Sequence, residues 1–367
     1  MAEIYGFVAE FNPFHNGHKI FIDSIKKKYH PDVLIAVVSG NFVQRGDFAI
    51  VDKWSRARMA ISSGVDLVIE LPFAYSVQPA DLFAKGSIKL LNELGVNNLV
   101  FGTETDLNFK QLATEILKVD TKFVQDYKSS YATNLNDLYK SSGLDILQRP
   151  NQLLGLNYVQ EIIKNDYNMN VKTILRKADN YSATQIRDHL SNNESISGLV
   201  PDITESELDI SKSLSWDNYF ELLKYQILSS SPQELQQIYQ MVEGLEYKFI
   251  KEIVNSTDFT DFLMNLKSKR YTLSRLRRLC LYTLLNVKKT EITKVFELPY
   301  LRVLGFDDVG KKYLNTLKKN VDVPLITRVG KKESKLLSLE VKVDKIRGII
   351  DDQEQDFGRI PIMEGEI

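Results

Sequence analysis

Two histidines, His15 and His18, stand three positions apart around Gly17, directly after the apolar run Ile4–Phe11, in a chain that has only 4 His in 367 residues. Imidazoles at the junction of a strand and a helix sit beside backbone N–H groups and the positive end of the helix dipole. There they can donate hydrogen bonds to phosphate oxygens, most usefully where charge grows on an α-phosphate attacked in line. Gly17 has no Cβ and lets a ligand come close to the backbone. Residue types alone leave a second reading open, two unrelated surface histidines near the N-terminus. A structural zinc site is disfavoured, because His30, His189 and Cys280 show no suitable spacing. A later stretch has its own chemistry: Ser182-Ala183-Thr184-Gln185-Ile186-Arg187 puts hydroxyls and a base at the start of a helix. Ser182 is the expected N-cap, with neighbouring N–H groups facing β- and γ-phosphates, and Arg187 follows about one turn later. An ordinary N-capped surface helix would carry the same pattern.

The elements that must position these residues alternate in the first half. Apolar runs predict strands at Ile4–Phe11, Val33–Val38, Val65–Leu71, Asn98–Phe101 and Asn170–Leu175. Between them the periodicity predicts helices at Gly17–Tyr29, Lys53–Ser63, Pro79–Leu94 and Asn151–Asn165, with several short helices across 106–142. Alternation of this kind implies an α/β fold with a Rossmann-like parallel sheet covered on both faces. Ligands of such sheets bind at the carboxyl ends of the strands, where Asn12–His18, Ser39–Gly46, Pro72 and Gly102-Thr103-Glu104 all fall. After about residue 200 the pattern becomes mainly helical: Trp216–Ser229, Pro232–Glu243, Lys248–Asn255, Phe259–Leu266, Leu273–Val287 and shorter segments toward Asn320. One late strand is expected at Ser338–Val343, and the tail from Asp351 reads as an irregular acidic end. Ser, Gly and Pro interrupt both periods near Ile196–Lys212, so the expected units are 1–200 and a mainly α-helical 201–367.

Composition sets the class. Hydrophobic content of 43% and charged content of 26% suit a globular protein. No apolar run approaches the length of a membrane span, and the basic-then-apolar pattern of a secretory signal is absent. The single Cys280 excludes an intramolecular disulfide and fits a reducing, cytoplasmic setting. A formal net charge of −1 says nothing about local basic patches, and the oligomeric state is left open.

Phe14-His15-Asn16-Gly17-His18 resembles the His-x-Gly-His signature of the nucleotidyltransferase superfamily, and Ser182–Arg187 resembles its late Ser-x-Thr-x-Ile-Arg signature, with Tyr181 where Ile is usual. The likeness narrows further. Glu10–His18, Ser39-Gly40-Asn41-Phe42-Val43-Gln44-Arg45-Gly46, Lys53-Trp54, Gly64–Pro72 and Phe101-Gly102-Thr103-Glu104 resemble the bacterial tRNA(Met) cytidine acetate ligase family. The resemblance is strong over roughly the first 190 residues and weak beyond. It implies an ATP-dependent acetate ligase: acetate and ATP give acetyl-adenylate, and the acetyl group passes to N4 of the wobble cytidine of elongator tRNA(Met). It implies His15, His18, Ser182 and Arg187 as catalytic residues. It implies an ATP site of Phe7, Val8, Ala9, Glu10, Phe11, Asn12, Pro13, Phe14, His15, Asn16, Gly17, His18, Lys19 and Ile20, with Gly102, Asn151 and Arg176. Gly102 would admit the base or ribose, Asn151 would bond the nucleotide or cap its helix, and Arg176 would reach the nucleotide from the end of the fifth strand. Mg2+ would arrive with ATP and no direct protein metal ligand is expected; Glu70, Asp81 and Glu104 would at most orient bound water. A nucleotidyltransferase acting on a small phosphorylated cofactor precursor is the alternative, disfavoured by the helical second half.

Two segments remain. In the Ser39–Lys53 loop, Asn41, Gln44, Arg45 and Lys53 read as an exposed loop or, given the resemblance, as contacts to acetate, phosphate or tRNA. Between Asp261 and Glu291 there is no acidic residue, while Lys267, Lys269, Arg270, Arg275, Arg277, Arg278, Lys288 and Lys289 accumulate. Leu273, Leu276, Cys280, Leu284 and Val287 recur at helical spacing, which puts Arg275 and Arg278 together on the flank of a buried stripe. A solvated helix face is one reading; tRNA phosphate contact by Lys269, Arg270, Arg275 and Arg278 is the other.

Overall fold

The structure, a computed structural model, describes residues 2–119, 150–176, 181–210, 214–242 and 244–366. The short helices expected across 106–142 are met by a helix Phe109–Val119; the remainder of that stretch lies outside the described residues.

Five parallel strands form the heart of the sheet: β1 (Ile4–Ala9), β2 (Val33–Ser39), β5 (Leu67–Leu71), β6 (Asn98–Thr103) and β7 (Asn170–Leu175). A short hairpin, β3 (Phe42–Val43) and β4 (Asp47–Phe48), stands apart from it. With three later strands, β8 (Leu301–Phe306), β9 (Leu325–Ile326) and β10 (Ile362–Met363), the order in the main sheet is β10-β8-β5-β2-β1-β6-β7, with β9 paired to β8. β2 and β5 are buried along their whole length, as strands covered on both faces must be. Strand alternation divides their side chains. Ile35, Val37, Leu67 and Ile69 join the core that holds Phe83, Ile88 and Leu91 of helix Ala80–Glu93. Leu34, Ala36, Val38 and Val68 join Ile22, Ile25, Trp54 and Ala57 of helices Asn16–Tyr29 and Lys53–Ser62. Strand order reverses between β1 and β6, which opens a crevice at their carboxyl ends.

The second half is not only helical. β8 (Leu301–Phe306) extends the same sheet antiparallel to β5, and β9 (Leu325–Ile326) and β10 (Ile362–Met363) flank β8 in parallel. The strand expected at Ser338–Val343 is instead part of helix Ser338–Asp351. Its buried set is Leu339, Glu340, Val341, Val343, Asp344, Arg347 and Asp351, a helical spacing in which more than half of the positions are charged. Only the apolar Leu339, Val341 and Val343 were visible as a pattern, and they alternate like a strand. The helix expected over Pro232–Glu243 stops at Gln236, because Ile238 bridges Lys288 and the Tyr239 N–H donates to the Val287 carbonyl at 2.8 Å. The acidic tail is also ordered by contacts: Gln355 and Asp356 are 2% and 1% exposed. Among the described residues, no helix is long and apolar enough to cross a membrane.

Candidate active site

The chain leaves β1 at Glu10 and turns at Phe11, whose φ of 50° is a left-handed conformation that bulky residues rarely adopt. The turn folds residues 11–15 back over the sheet edge. Phe11 packs on Phe14 (centroids 4.7 Å) and meets His18 edge-on (5.0 Å, 75°). The two imidazoles stack at 3.7 Å with planes 19° apart. The His15 backbone N–H donates to Nδ1 of His18 at 3.2 Å, so the neutral His18 ring carries its proton on Nε2. His15 is 4% exposed, and its Nδ1 has no hydrogen-bond partner. Burial, reinforced by the Arg176 charge, lowers the His15 pKa to about 4; burial, His15 and Arg176 hold His18 well below its ordinary value. Both rings are neutral near pH 7.

Two details modify the sequence reading. A Cβ on Gly17 would lie 3.0 Å from the His15 ring and 3.2 Å from Tyr181, so the glycine also makes room for the histidine. The N–H groups of His15 and Asn16 are already engaged, the latter by the Leu199 carbonyl at 3.0 Å, and the helix start offers fewer free donors than expected.

The late signature reaches the early one. Arg187 Nη1 donates to the Asn12 carbonyl at 2.6 Å and Nη2 to Thr184 Oγ1 at 3.2 Å. Ser182 does occupy the N-cap of helix Ala183–Ser191, but its exposed hydroxyl makes no capping bond. Arg176 lies over Gly102: a Cβ there would be 3.3 Å from the arginine stem, which covers the approach proposed for base or ribose. Asn151 falls in helix Pro150–Lys164, and its side chain is outside the described residues.

Arg56 escaped the sequence reading. Fully buried on helix Lys53–Ser62, it donates from Nη1 to the carbonyls of Glu10 (2.7 Å) and Ser39 (2.8 Å), from Nη2 to Gly40, and from Nε to Val51 (3.2 Å) and Asp52 (3.3 Å). One guanidinium thus ties together the carboxyl ends of β1 and β2. Burial lowers its pKa to about 10, so it stays charged at neutral pH. The only sequence signal was an arginine on a helix face otherwise packed inward.

These residues open into one cavity of about 1500 Å³. Phe7–Asn12, His15, Gly17, His18, Ile20, Gly102, Arg176 and Arg187 line one end of it, whereas Pro13, Phe14, Asn16, Lys19 and Ser182 do not line it. Phe14 is buried beneath, and Lys19 pairs with Asp23 at 3.3 Å on the outer face. The cavity continues past the hairpin residues Gln44, Arg45 and Asp47 to a helical wall of Trp216, Thr272, Ser274, Arg277 and Arg278. The Gln44 N–H donates to Glu10 Oε1 at 2.7 Å, and Arg278 Nη1 reaches the Gln44 carbonyl at 3.5 Å. Asp47 pairs with Arg277 at 2.7 Å and accepts from Trp216 Nε1 at 3.0 Å. Gly46, at φ 82°, presses on helix Leu273–Leu284, where a Cβ would meet the Arg278 backbone nitrogen at 2.5 Å.

The expected basic face therefore splits. Arg278 is 7% exposed and belongs to the cavity, with burial lowering its pKa. Arg275 lies over the Tyr271 ring at 4.5 Å, and Lys269 and Arg270 are exposed. Arg278 lines the same cavity as His15, His18 and Arg187.

The HIGH Nucleotidyl Transferase family model matches residues 2–358. A protein of Lactobacillus gasseri named tRNA(Met) cytidine acetate ligase is 40% identical, covering 98% of this chain and 99% of the relative; one of Lactobacillus delbrueckii subsp. bulgaricus with the same name is 41% identical over 98% and 99%. This chain belongs to the tRNA(Met) cytidine acetate ligase family. Crystal structures of Thermotoga maritima TmcAL, one apo and one bound with alpha-thio ATP, superpose with a TM-score of 0.89 at 28% and 30% identity, each covering 98% of this chain and 99% of the other.

In this member of the family the Ser39–Lys53 loop is largely inside. Lys53 is 0% exposed and pairs with Asp344 (2.6 Å) and Glu70 (3.0 Å), while Arg302 pairs with Asp356 (2.6 Å). Asn41 donates to Asp344 at 2.9 Å and Gln355 at 3.1 Å. Lys53, Asn41 and Glu70 thus fasten the C-terminal segment to the sheet, and none of the three lines the cavity; Gln44 and Arg45 do. The reason is desolvation: a fully buried lysine needs carboxylates around it, and beside Glu70 these are Asp344 and Asp356, from the far end of the chain. Among the described residues, neither Asp81 nor Glu104 lines the cavity, and no three His, Cys, Asp or Glu side chains group as a metal cage.

Proposed function

We propose that this chain is an ATP-dependent acetate ligase that forms acetyl-adenylate and passes the acetyl group to N4 of the wobble cytidine of elongator tRNA(Met). The observation that carries the reading is the stacked, neutral His15–His18 pair, which lines the cavity at the reversal point of the sheet. A carboxylate oxygen of acetate attacks the α-phosphorus in line, pyrophosphate leaves, and the imidazole donors stabilise the charge that gathers on the phosphoryl oxygens. Neutral rings suit this role, because a fixed N–H stabilises developing charge without a proton being transferred. Arg176 and the cavity-lining residues of the segment Phe7–Ile20 hold the nucleotide, and Arg187 faces the departing pyrophosphate. Magnesium enters with the triphosphate, held by phosphate oxygens and water.

Residues 1–200 carry activation in this reading, and 201–367 supply the wall that meets RNA, with Lys269, Arg270 and Arg275 on its outer surface and Arg278 inside the cleft. Continuity of the cavity from His15 to Arg278 favours a macromolecular acceptor over a small cofactor precursor, since the helical wall would be idle in the latter case.

The test is acetate-dependent ATP–pyrophosphate exchange across a panel of small carboxylates, with and without tRNA. Acetate alone should support exchange. His15→Ala and His18→Ala should each lower it by ~10²-fold or more, the scale for removing one transition-state donor. Full exchange in both variants would overturn the reading.

A further inference from the structure

Of the carboxylates lining the cavity among the described residues, Glu10, Asp47 and Asp217, two are committed elsewhere. Asp47 holds Arg277 and Trp216, and Asp217 is an exposed first-turn residue beside the Ser215 cap. Glu10 is different. It stands at the carboxyl end of β1, five residues before His15, where the nucleotide end of the cavity opens toward the hairpin and the helical wall. Arg56 holds its carbonyl (2.7 Å), and the Gln44 N–H fixes Oε1 of its side chain (2.7 Å). The carboxylate therefore lines the cavity between the His15–His18 end and the hairpin, held there by the Gln44 N–H.

We infer that Glu10 is the base of the transfer half-reaction, an inference that rests on the acetate-ligase reading. The exocyclic amine of cytosine shares its lone pair with the ring and is a weak nucleophile. As N4 attacks the acetyl carbon, the C–N bond forms and positive charge appears on nitrogen. The C–O bond to the phosphoryl group breaks and AMP leaves with that electron pair. The N4 proton passes to the Glu10 carboxylate and from there to water, which restores the enzyme. A base is most effective when its pKa approaches the working pH. Burial raises Glu10, against the lowering effects of the Gln44 N–H and of Arg45, Arg56 and Arg187. His15, lowered to about 4, is a poorer acceptor and is already assigned to phosphate.

The test uses the full chain with Glu10→Gln, which keeps an acceptor for the Gln44 N–H, and Glu10→Asp, which keeps a carboxylate. Transfer is measured in single turnover from preformed acetyl-adenylate to unmodified tRNA(Met), alongside acetate-dependent exchange. Glu10→Gln should slow transfer by ~10²-fold or more, well beyond any loss of exchange, the range for a general base. The wild-type transfer rate should rise with pH through the raised carboxylate pKa, and Glu10→Gln should lose that limb. Glu10→Asp should recover part of the rate and shift the limb. Equal losses in both half-reactions, or an unchanged pH profile in either variant, would overturn the inference. Absence of acetate-dependent exchange in the wild type would instead overturn the acetate-ligase reading itself.

Discussion

Replacing Arg56 by lysine tests whether one buried guanidinium sets the shape of the site. The arginine satisfies five backbone carbonyls, those of Glu10, Ser39, Gly40, Val51 and Asp52. A lysine ammonium has three donors, so at least two of these charge-assisted bonds to the side chain are lost, although the Asp52 carbonyl keeps the backbone N–H of residue 56 at 3.2 Å. Each such loss costs about 1–3 kcal/mol, giving ~2–6 kcal/mol in all. With an unfolding entropy of about 2.1 cal/mol/K per residue, a chain of 367 residues changes by roughly 0.8 kcal/mol per degree. The expected fall in Tm is therefore ~3–8 °C, read by circular dichroism. Exchange assayed well below both transitions should also drop by ~10-fold or more, because the carboxyl ends of β1 and β2 lose their common anchor and misplacement of about 1 Å is that costly. A variant that melts within about a degree of wild type and keeps full exchange would refute the reasoning, since thermal shifts of that size correspond to less than one lost hydrogen bond.

Glu340 is fully buried, accepts from the Phe73 N–H (2.9 Å) and the Tyr300 hydroxyl (2.7 Å), and has its pKa pushed up to about 8, first by burial and then by Glu70 and Asp344. The folded state then binds more protons than the unfolded one between the ordinary carboxylate value and about 8, so this group makes stability fall as pH rises across that window. Glu340→Gln should match wild type near the acid end and exceed it near pH 8 in denaturant titrations; parallel stability curves would rule this out. For RNA, Lys269→Ala with Arg275→Ala should weaken tRNA(Met) binding and reduce the salt slope by about one to two units while leaving exchange intact. Unchanged affinity at two salt concentrations would return these side chains to a solvated surface.

The sequence determined the parts whose signal is local. β1, β2, β5 and β6 appeared as apolar runs because strands covered on both faces have no polar side, and β7, half-buried at the sheet edge, still matched the expected Asn170–Leu175. The His15–His18 pair and the Ser182–Arg187 stretch were legible because a turn followed by a helix start is specified by neighbouring residues. What stayed hidden depended on contacts distant in sequence. Helix Ser338–Asp351 looked like a strand because Glu340, Asp344 and Arg347 are buried there, and burial of charge makes sense only beside Lys53, Asn41 and the Phe73 N–H. Lys53 and Glu70 resembled site residues because their partners, Asp344, Asp356 and Arg302, are supplied by the far half of the chain. Arg56 and Glu10 gained their roles from backbone carbonyls and an N–H that no side-chain pattern reports. Arg278 looked like a solvated flank until Gly46 brought the hairpin against its helix. Local periodicity fixes elements, but where a charge is placed out of water is settled by whichever groups the packed fold puts opposite it.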